Sequence, residues 1–117
     1  MKILVMDEVK SRKNEIAEAL EKSKHKVVQC SGSNEFLTSM EEQSFGLICL
    51  DFDTWNHGRS IYNYFKIPKR IEQMPLIVYN SPANFSAFAN RPRHDKDRIL
   101  AKPSDTKAIV DAVSDSI

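Results

Sequence analysis

Five short apolar runs alternate with segments of helical patterning, and this alternation restricts the fold of the 117-residue chain more than any other feature. The runs are KILVMD, KVVQCS, FGLICLD, PLIVYN and RILAK, each of a length typical of a buried strand. The segments between them place apolar residues one helical turn apart, as Ile16 and Leu20 are in the first. Strict alternation predicts an α/β fold with a doubly wound parallel sheet covered by helices on both faces. We expect a single domain over residues 1–117.

Turn and cap residues set the expected ends of the later helices. The third helix is predicted to open at Gly58 and to stop at Pro68. A short fourth helix is predicted from a cap at Ser81 to Pro92. The last helix is predicted to be capped by Ser104.

Composition and cysteine usage exclude several classes of protein. A net charge of +1 gives no electrostatic case for binding nucleic acid or an anionic membrane. No apolar run approaches the length of a membrane span or of a signal peptide. Cys30 and Cys49 match no metal or redox spacing, and Cys49 is expected to be a buried free thiol. A cytoplasmic location follows as an expectation.

Charged or polar side chains stand at the ends of four of the five runs. They are Asp7-Glu8, Asp51 with Asp53 two residues further on, Asn80-Ser81, and Lys102-Pro103. In open α/β sheets the carboxyl ends of the strands meet at one edge and form the binding site. Carboxylates so close together repel one another, and Mg²⁺ bound by their oxygens relieves the repulsion. The pattern predicts a magnesium site that holds a phosphoryl group; acids that merely end strands are the alternative.

These motifs resemble the receiver domain of two-component response regulators over the full length of the chain. Asp7-Glu8 after "ILVM" is similar to the metal-binding acid pair of that family. Asp51, at the end of "LICLD", is similar to its phosphoacceptor aspartate. Lys102 in "LAKP" is similar to the lysine that follows the fifth strand. The resemblance implies a flavodoxin-like (βα)5 fold and a signalling domain, not an enzyme, whose chemistry is limited to its own phosphorylation and dephosphorylation.

The resemblance also implies roles and partners. Asp51 would accept a phosphoryl group from a histidine kinase or phosphotransfer protein, and Lys102 would pair with the aspartyl phosphate. Mg²⁺ would be held by Asp7, Glu8, Asp51 and the backbone carbonyl of Asp53. The product would regulate an output domain or a partner protein, with no role for membrane or nucleic acid. The family includes homodimers, and the sequence leaves that choice open.

Several positions depart from the family's pattern, among them Asp95, which lies near the place of a glycine that is usual before the fifth strand. Asn80 stands where the family has Thr or Ser to contact the phosphoryl group, with Ser81 beside it as the alternative contact. Ile99 stands where a switch aromatic is usual, and Glu8 is one methylene longer than the usual Asp. The signalling relay is therefore expected to be altered. A docking module that works without phosphorylation is the alternative function.

A second family competes for the same aspartates. The stretch "LDFDTW" resembles the Asp-x-Asp motif of haloacid-dehalogenase phosphatases, in which Asp51 would be the nucleophile and Asp53 the general acid. In that family the motif sits on the first strand, and Thr or Val follows where this chain has Trp55. A short motif with these mismatches carries a high risk of a false match, so the phosphatase is only the remote alternative.

Overall fold

A computed structural model describes residues 1–57, 74–82 and 95–117, and these contain five strands and four helices. In chain order the elements are β1 (Lys2–Met6), α1 (Lys10–Lys22), β2 (Lys26–Cys30), α2 (Ser33–Glu42), β3 (Leu47–Asp51), α3 (Phe52–His57), β4 (Leu76–Ser81), β5 (Arg98–Ala101) and α4 (Thr106–Asp115). The five predicted strands are all present.

The strands form one sheet in the order β2-β1-β3-β4-β5, and every neighbouring pair is parallel. This is the strand order of flavodoxin-like doubly wound folds. The chain adds β2 on one side of β1 and then adds β3, β4 and β5 on the other side, so the order of the strands switches between β1 and β3. The predicted fold class is therefore confirmed. It also places the candidate site, because ligands in such sheets bind at the carboxyl ends of the strands near that switch.

Alternate residues along the strands build two separate cores, one on each face of the sheet. One core packs α2 and α3 against the even-numbered positions of β1, β3 and β4: Leu4, Met6, Ile48, Leu50, Leu76 and Val78. The other packs α1 and α4 against the odd-numbered positions of those strands: Ile3, Val5, Leu47, Cys49, Ile77 and Tyr79. The facing side chains of α1 and α4 include Ile16, Leu20, Ile109 and Val113. Double coverage explains why the strands read as continuous apolar runs.

Both cysteines are free and buried, which confirms the prediction made for Cys49. Burial raises the pKa of each thiol to about 12, so neither is a reactive thiolate near neutral pH. Of the helices that the structure describes, none is long and apolar enough to cross a membrane.

Two helix boundaries differ from the sequence prediction. A helix starts at Phe52, directly after β3, where no helix was predicted; Trp55 is buried on the core beneath it, with Phe52 packed alongside. The prediction that Ser104 caps the last helix is wrong. Asp105 is the N-cap, and its Oδ1 accepts a hydrogen bond of 2.7 Å from the backbone N of Ala108. The predicted third helix, from Gly58, and residues 83–92 of the fourth lie outside the described residues.

The cap gives a first test. Replacing an N-cap Asp with Ala costs about 1 kcal/mol, so Asp105→Ala should lower the free energy of unfolding by roughly that amount. Asp111→Ala, an exposed acid in the same helix, is the matched control and should change it by less than about 0.5 kcal/mol. Urea unfolding of the two variants measures both values. Equal decreases in the free energy of unfolding for the two variants would show that the side chain of Asp105 does not stabilise the helix as a cap.

Candidate functional site

Three polar side chains form a row across the carboxyl edge of the sheet. Met6 pairs in register with Leu50, so Asp7 follows β1 beside Asp51 at the end of β3, and Asp51 in turn pairs with Tyr79 of β4. All three occupy odd-numbered positions, so they belong to the face that α1 and α4 cover. Each is fully buried, with 0% exposure. The fold thus places two carboxylates and a phenol side by side and out of water.

Arg12, in the first turn of α1, meets the Asp7 carboxylate with two donors. Its Nε lies 2.6 Å from Oδ2 and its Nη2 lies 2.8 Å from Oδ1. The Tyr79 hydroxyl donates a third hydrogen bond of 2.7 Å to Oδ2, and the backbone N of Val9 donates a fourth of 2.9 Å to Oδ1. Bidentate, charge-assisted bonds of this kind are the strongest class in proteins. The side chain of Asp7 is therefore held in place by donors from α1, from β4 and from the loop after β1.

Asp51 is held by different groups at its two oxygens. Its Oδ2 accepts hydrogen bonds from Thr54, of 2.7 Å from the hydroxyl and 3.1 Å from the backbone N. Its Oδ1 lies 3.0 Å from Arg12 Nη2, which is an ion-pair distance, but among the described residues none donates it a well-directed hydrogen bond. The Thr54 hydroxyl also accepts a 2.9 Å bond from the backbone N of Glu8, which ties α3 to the end of β1.

Burial has the largest effect on the pKa values of Asp51 and Tyr79. It raises the pKa of Asp51, and the nearby charge of Asp7 adds to the shift, while the bonds from Thr54 and the charge of Arg12 oppose it. Burial likewise raises the pKa of Tyr79, which stays a hydroxyl donor. The hydrogen bonds to Asp7 raise the pKa of Arg12, so the guanidinium is a permanent cation. Within the described part of the chain, Arg12 is thus the cation shared by two neighbouring carboxyl groups, and burial still raises the pKa of one of them, Asp51.

The other predicted site residues are placed less centrally. Glu8 and Lys102 have exposed side chains, and the backbone N of Lys102 donates a 3.0 Å bond to the carbonyl of Ser81. Asp53 lies half-buried in the first turn of α3. The structure brings Asp7 and Asp51 together and leaves the side chains of Glu8 and Lys102 at the surface.

The donors around the two aspartates do not fit a magnesium ion in this arrangement. All the acceptor positions of Asp7 are directed at protein donors. Within residues 1–57, 74–82 and 95–117, no group of three or more His, Cys, Asp or Glu side chains is placed to hold a metal ion. The magnesium ligands therefore stay a prediction from the sequence.

Asn80 is engaged away from the aspartates. Its backbone has φ of 55°, a left-handed conformation that Asn tolerates better than most residues. Its Oδ1 accepts a 2.9 Å bond from the backbone N of Ser104, while its own N donates a 3.0 Å bond to the Ser104 hydroxyl. Ser81 is buried, and its hydroxyl donates to the carbonyl of Pro82. A phosphoryl contact by Asn80 or Ser81 stays a prediction.

Sequence reasoning missed Arg12, Thr54 and Tyr79. Tyr79 could have been found, because strand periodicity places it on the same face as Asp51 once the register is known. Thr54 stands three residues after Asp51, the spacing at which an acidic side chain bonds the first turn of a helix. The sequence does not distinguish Arg12 as a site residue, because it is one of three basic residues in the stretch KSRK at the start of α1.

The Thr54 hydroxyl can be tested by an isosteric change. Thr54→Val keeps the shape but leaves Asp51 Oδ2 and the N of Glu8 without this partner. Losing a hydrogen bond to a charged group costs about 1.5–3 kcal/mol, and we expect a decrease of that order in the free energy of unfolding. Thr54→Ser, which keeps the hydroxyl, is the control and should lose clearly less. Similar losses in the two variants would mean that packing, not the hydroxyl, matters at this position.

The raised pKa of Asp51 predicts a pH dependence. A carboxyl group whose pKa is higher folded than unfolded stabilises the fold below its ordinary value of 3.8, and that contribution is lost as pH rises through the folded pKa. The wild type should therefore lose stability relative to Asp51→Asn as pH increases above about 4. Urea unfolding of both proteins in EDTA across this range measures the difference. A wild type that gains stability relative to Asp51→Asn as pH increases would contradict the assigned direction.

Comparisons with known proteins were made by sequence and by structure. No protein-family model matches the sequence, and no curated protein matches it. Solved structures do match in fold. The chemotaxis response regulator CheY4 of Vibrio cholerae superposes with a TM-score of 0.81 at 14% identity, covering 99% of this chain and 98% of that one.

Two further solved structures carry ligands of interest. A response regulator protein from Burkholderia pseudomallei, with a phosphorylated aspartic acid, a calcium ion and citrate, matches with a TM-score of 0.74 at 23% identity. The match covers 95% of this chain and 65% of that one. The response regulator TrrA from Thermotoga maritima, in complex with Mg²⁺ and beryllofluoride, matches with a TM-score of 0.74 at 15% identity, covering 99% and 98%. The chain has the fold of response-regulator receiver domains.

Proposed function

We propose that this chain is a receiver-type domain of two-component signalling that regulates a downstream output by docking, without requiring a phosphoryl group on Asp51. The fold supports the signalling class, since structures of 14–23% identity share it over nearly the whole chain. Fold alone does not specify chemistry, so the choice of docking depends on the site. Its partner would be an output domain or a separate protein.

The observation that carries the proposal is the enclosure of Asp51. The side chain has 0% exposure, and its Oδ2 is occupied by both donors of Thr54. A nucleophile must come within about 3–3.5 Å of the atom that it attacks. A phosphodonor could reach this carboxylate only after the contacts of Thr54 and Arg12 had rearranged. The resting state therefore presents a closed pocket.

The hydrogen bonds of Asn80 support the same conclusion. In an ordinary receiver, a Thr or Ser hydroxyl at the end of the fourth strand would move toward the phosphoryl group. Asn80 stands there, and its amide oxygen and backbone N are both bonded to Ser104. Ile99, at the position of the switch aromatic, is 37% exposed on β5. A signal at Asp51 would have no short path to the β5 surface through these two residues.

Phosphorylation of Asp51 is the second candidate, and one observation favours it. Its Oδ1 has no hydrogen-bond donor among the described residues, so a lone pair remains at the strand end where a phosphoacceptor belongs. In this candidate Oδ1 would attack the phosphorus of a phosphohistidine on a kinase or phosphotransfer protein, and the histidine would leave. Lys102 would pair with the new phosphoryl group, while Asn80 or Ser81 would donate to it. The Burkholderia protein with its phosphorylated aspartic acid illustrates this outcome on the shared fold.

Intact-mass measurement separates the two candidates. The full chain is incubated with acetyl phosphate and Mg²⁺ beside a typical receiver domain as positive control. We expect no phosphoryl mass on this chain under conditions that label the control, because Asp51 is enclosed. We also expect unchanged amide hydrogen exchange in β5 and α4 when the phosphodonor is added.

Two variants identify the residue if labelling does occur. Asp51→Asn removes the candidate nucleophile, and Asp53→Asn, two residues away, is the matched control. Labelling of the wild type that disappears in Asp51→Asn and persists in Asp53→Asn would overturn the docking proposal and establish the phosphoacceptor. Labelling that persists in Asp51→Asn and disappears in Asp53→Asn would overturn the docking proposal as well and would assign the phosphoacceptor to Asp53.

A further inference from the structure

The acid pocket already contains a cation that belongs to the chain. Arg12 contributes Nε and Nη2 to Asp7, and the same Nη2 lies 3.0 Å from Asp51 Oδ1. Its side chain is only 31% exposed. A single guanidinium therefore touches both of the buried carboxylates that the sequence places in a magnesium site.

The coordination capacity of Asp7 is used up by this arrangement. A carboxylate offers about four lone-pair positions, and Asp7 receives four donors at 2.6–2.9 Å. Two of the four come from Arg12 and one from the buried hydroxyl of Tyr79. A divalent ion bound to Asp7 would have to displace at least one of them. The donor set does not fit a metal while Arg12 is in place.

The guanidinium is held in position from several sides. Arg12 lies in the first turn of α1, whose Ile16 and Leu20 are packed in the core. Its Cζ is 5.9 Å from the centre of the Tyr79 ring, within the range of a cation–π contact. The planar fork of arginine matches a carboxylate in a way that the ammonium of lysine does not. Arg12 is thus held in place by its position on α1, by the ring of Tyr79 and by the carboxylates of Asp7 and Asp51.

We propose that Arg12 is the resident cation of this pocket and takes the role that a divalent metal has in receiver domains, so that the pocket forms and stays closed without Mg²⁺. The inference concerns the charge balance of the folded chain. It does not depend on whether Asp51 accepts a phosphoryl group, and therefore goes beyond the proposed function.

Metal titration tests the inference on the full chain. Wild-type protein stripped with EDTA should show no saturable heat with millimolar MgCl₂ or MnCl₂, no change in Trp55 fluorescence and no shift in melting temperature. Arg12→Ala leaves two buried carboxylates without their cation, so it should melt several degrees lower in EDTA and recover part of that loss when Mg²⁺ is added. The recovery is measured as a melting temperature, so the test does not depend on an activity assay.

Two further variants separate the pocket from general charge effects. Lys10→Ala removes a positive charge from the exposed side of the same helix turn and should respond to Mg²⁺ as the wild type does. Arg12→Lys keeps the charge and is expected to stay insensitive to Mg²⁺, although it loses the bidentate contact. If Arg12→Ala does not fold in EDTA, folding on addition of Mg²⁺ supports the inference, and failure to fold in both conditions overturns it.

Two results would overturn the inference outright. One is saturable Mg²⁺ binding by the wild type at millimolar concentration or below. The other is a folded Arg12→Ala protein that is indifferent to the metal. The labelling experiment on Asp51 is independent, because it reads a covalent mass and not a metal response. Failure of one proposal is therefore distinguishable from failure of the other.

Discussion

The burial of two neighbouring carboxylates against a single arginine is the constraint on which the carboxyl edge of this sheet depends. Asp7 and Asp51 are both at 0% exposure, and Arg12 is the cation that touches both. Breaking a buried ion pair by removing one partner costs about 3–5 kcal/mol, a large share of the roughly 5–15 kcal/mol that stabilises a typical domain. The position of α1 over β1 and β3 is therefore tied to this cluster as well as to its apolar face.

The hydrogen bonds around the pair connect β1, β3, β4 and α3. Tyr79 brings β4 to Asp7, and Thr54 brings α3 to Asp51 and to the backbone of Glu8. The Asn80–Ser104 contacts join β4 to the loop that precedes α4. A buried network of this kind specifies one arrangement when its members are satisfied. Among the residues that the structure describes, the contact made with Asp51 Oδ1 is the ion pair with Arg12, and the pKa of Asp51 is raised.

The comparison with receiver domains separates fold from chemistry. Structures of 14–23% identity share the architecture, and two of them carry a divalent ion with a phosphorylated aspartic acid or with beryllofluoride. The same strand ends in this chain carry the expected aspartates, but the space around them is organised by an arginine and a tyrosine. A shared fold does not by itself specify the chemistry of the site that it carries. The exposed Lys102 and the engaged Asn80 fit the same interpretation.

Local pattern alone determined the strands, the layers and the sheet edge at which Asp7 and Asp51 lie. Short apolar runs alternating with helical segments are sufficient to predict a doubly wound parallel sheet, and parallel strands bring Asp7 and Asp51 to one edge. Two boundaries escaped the pattern: α3 starts at Phe52, directly after β3, and Asp105, rather than Ser104, caps α4. Propensity does not rank two adjacent cap residues, and Ser104 was already bonded to Asn80.

Only the tertiary structure decided what surrounds the aspartates. The periodicity of β4 places Tyr79 on one face, but its contact with Asp7 depends on the register of three strands. Arg12 is one of several basic residues at the start of α1, and its role follows from the rotation and height of that helix over the sheet. The sequence shows that two carboxylates must be compensated, because buried charges require partners. The sequence does not show which cation compensates them, because the distances from Arg12 to Asp7 and Asp51 are set only when the chain folds.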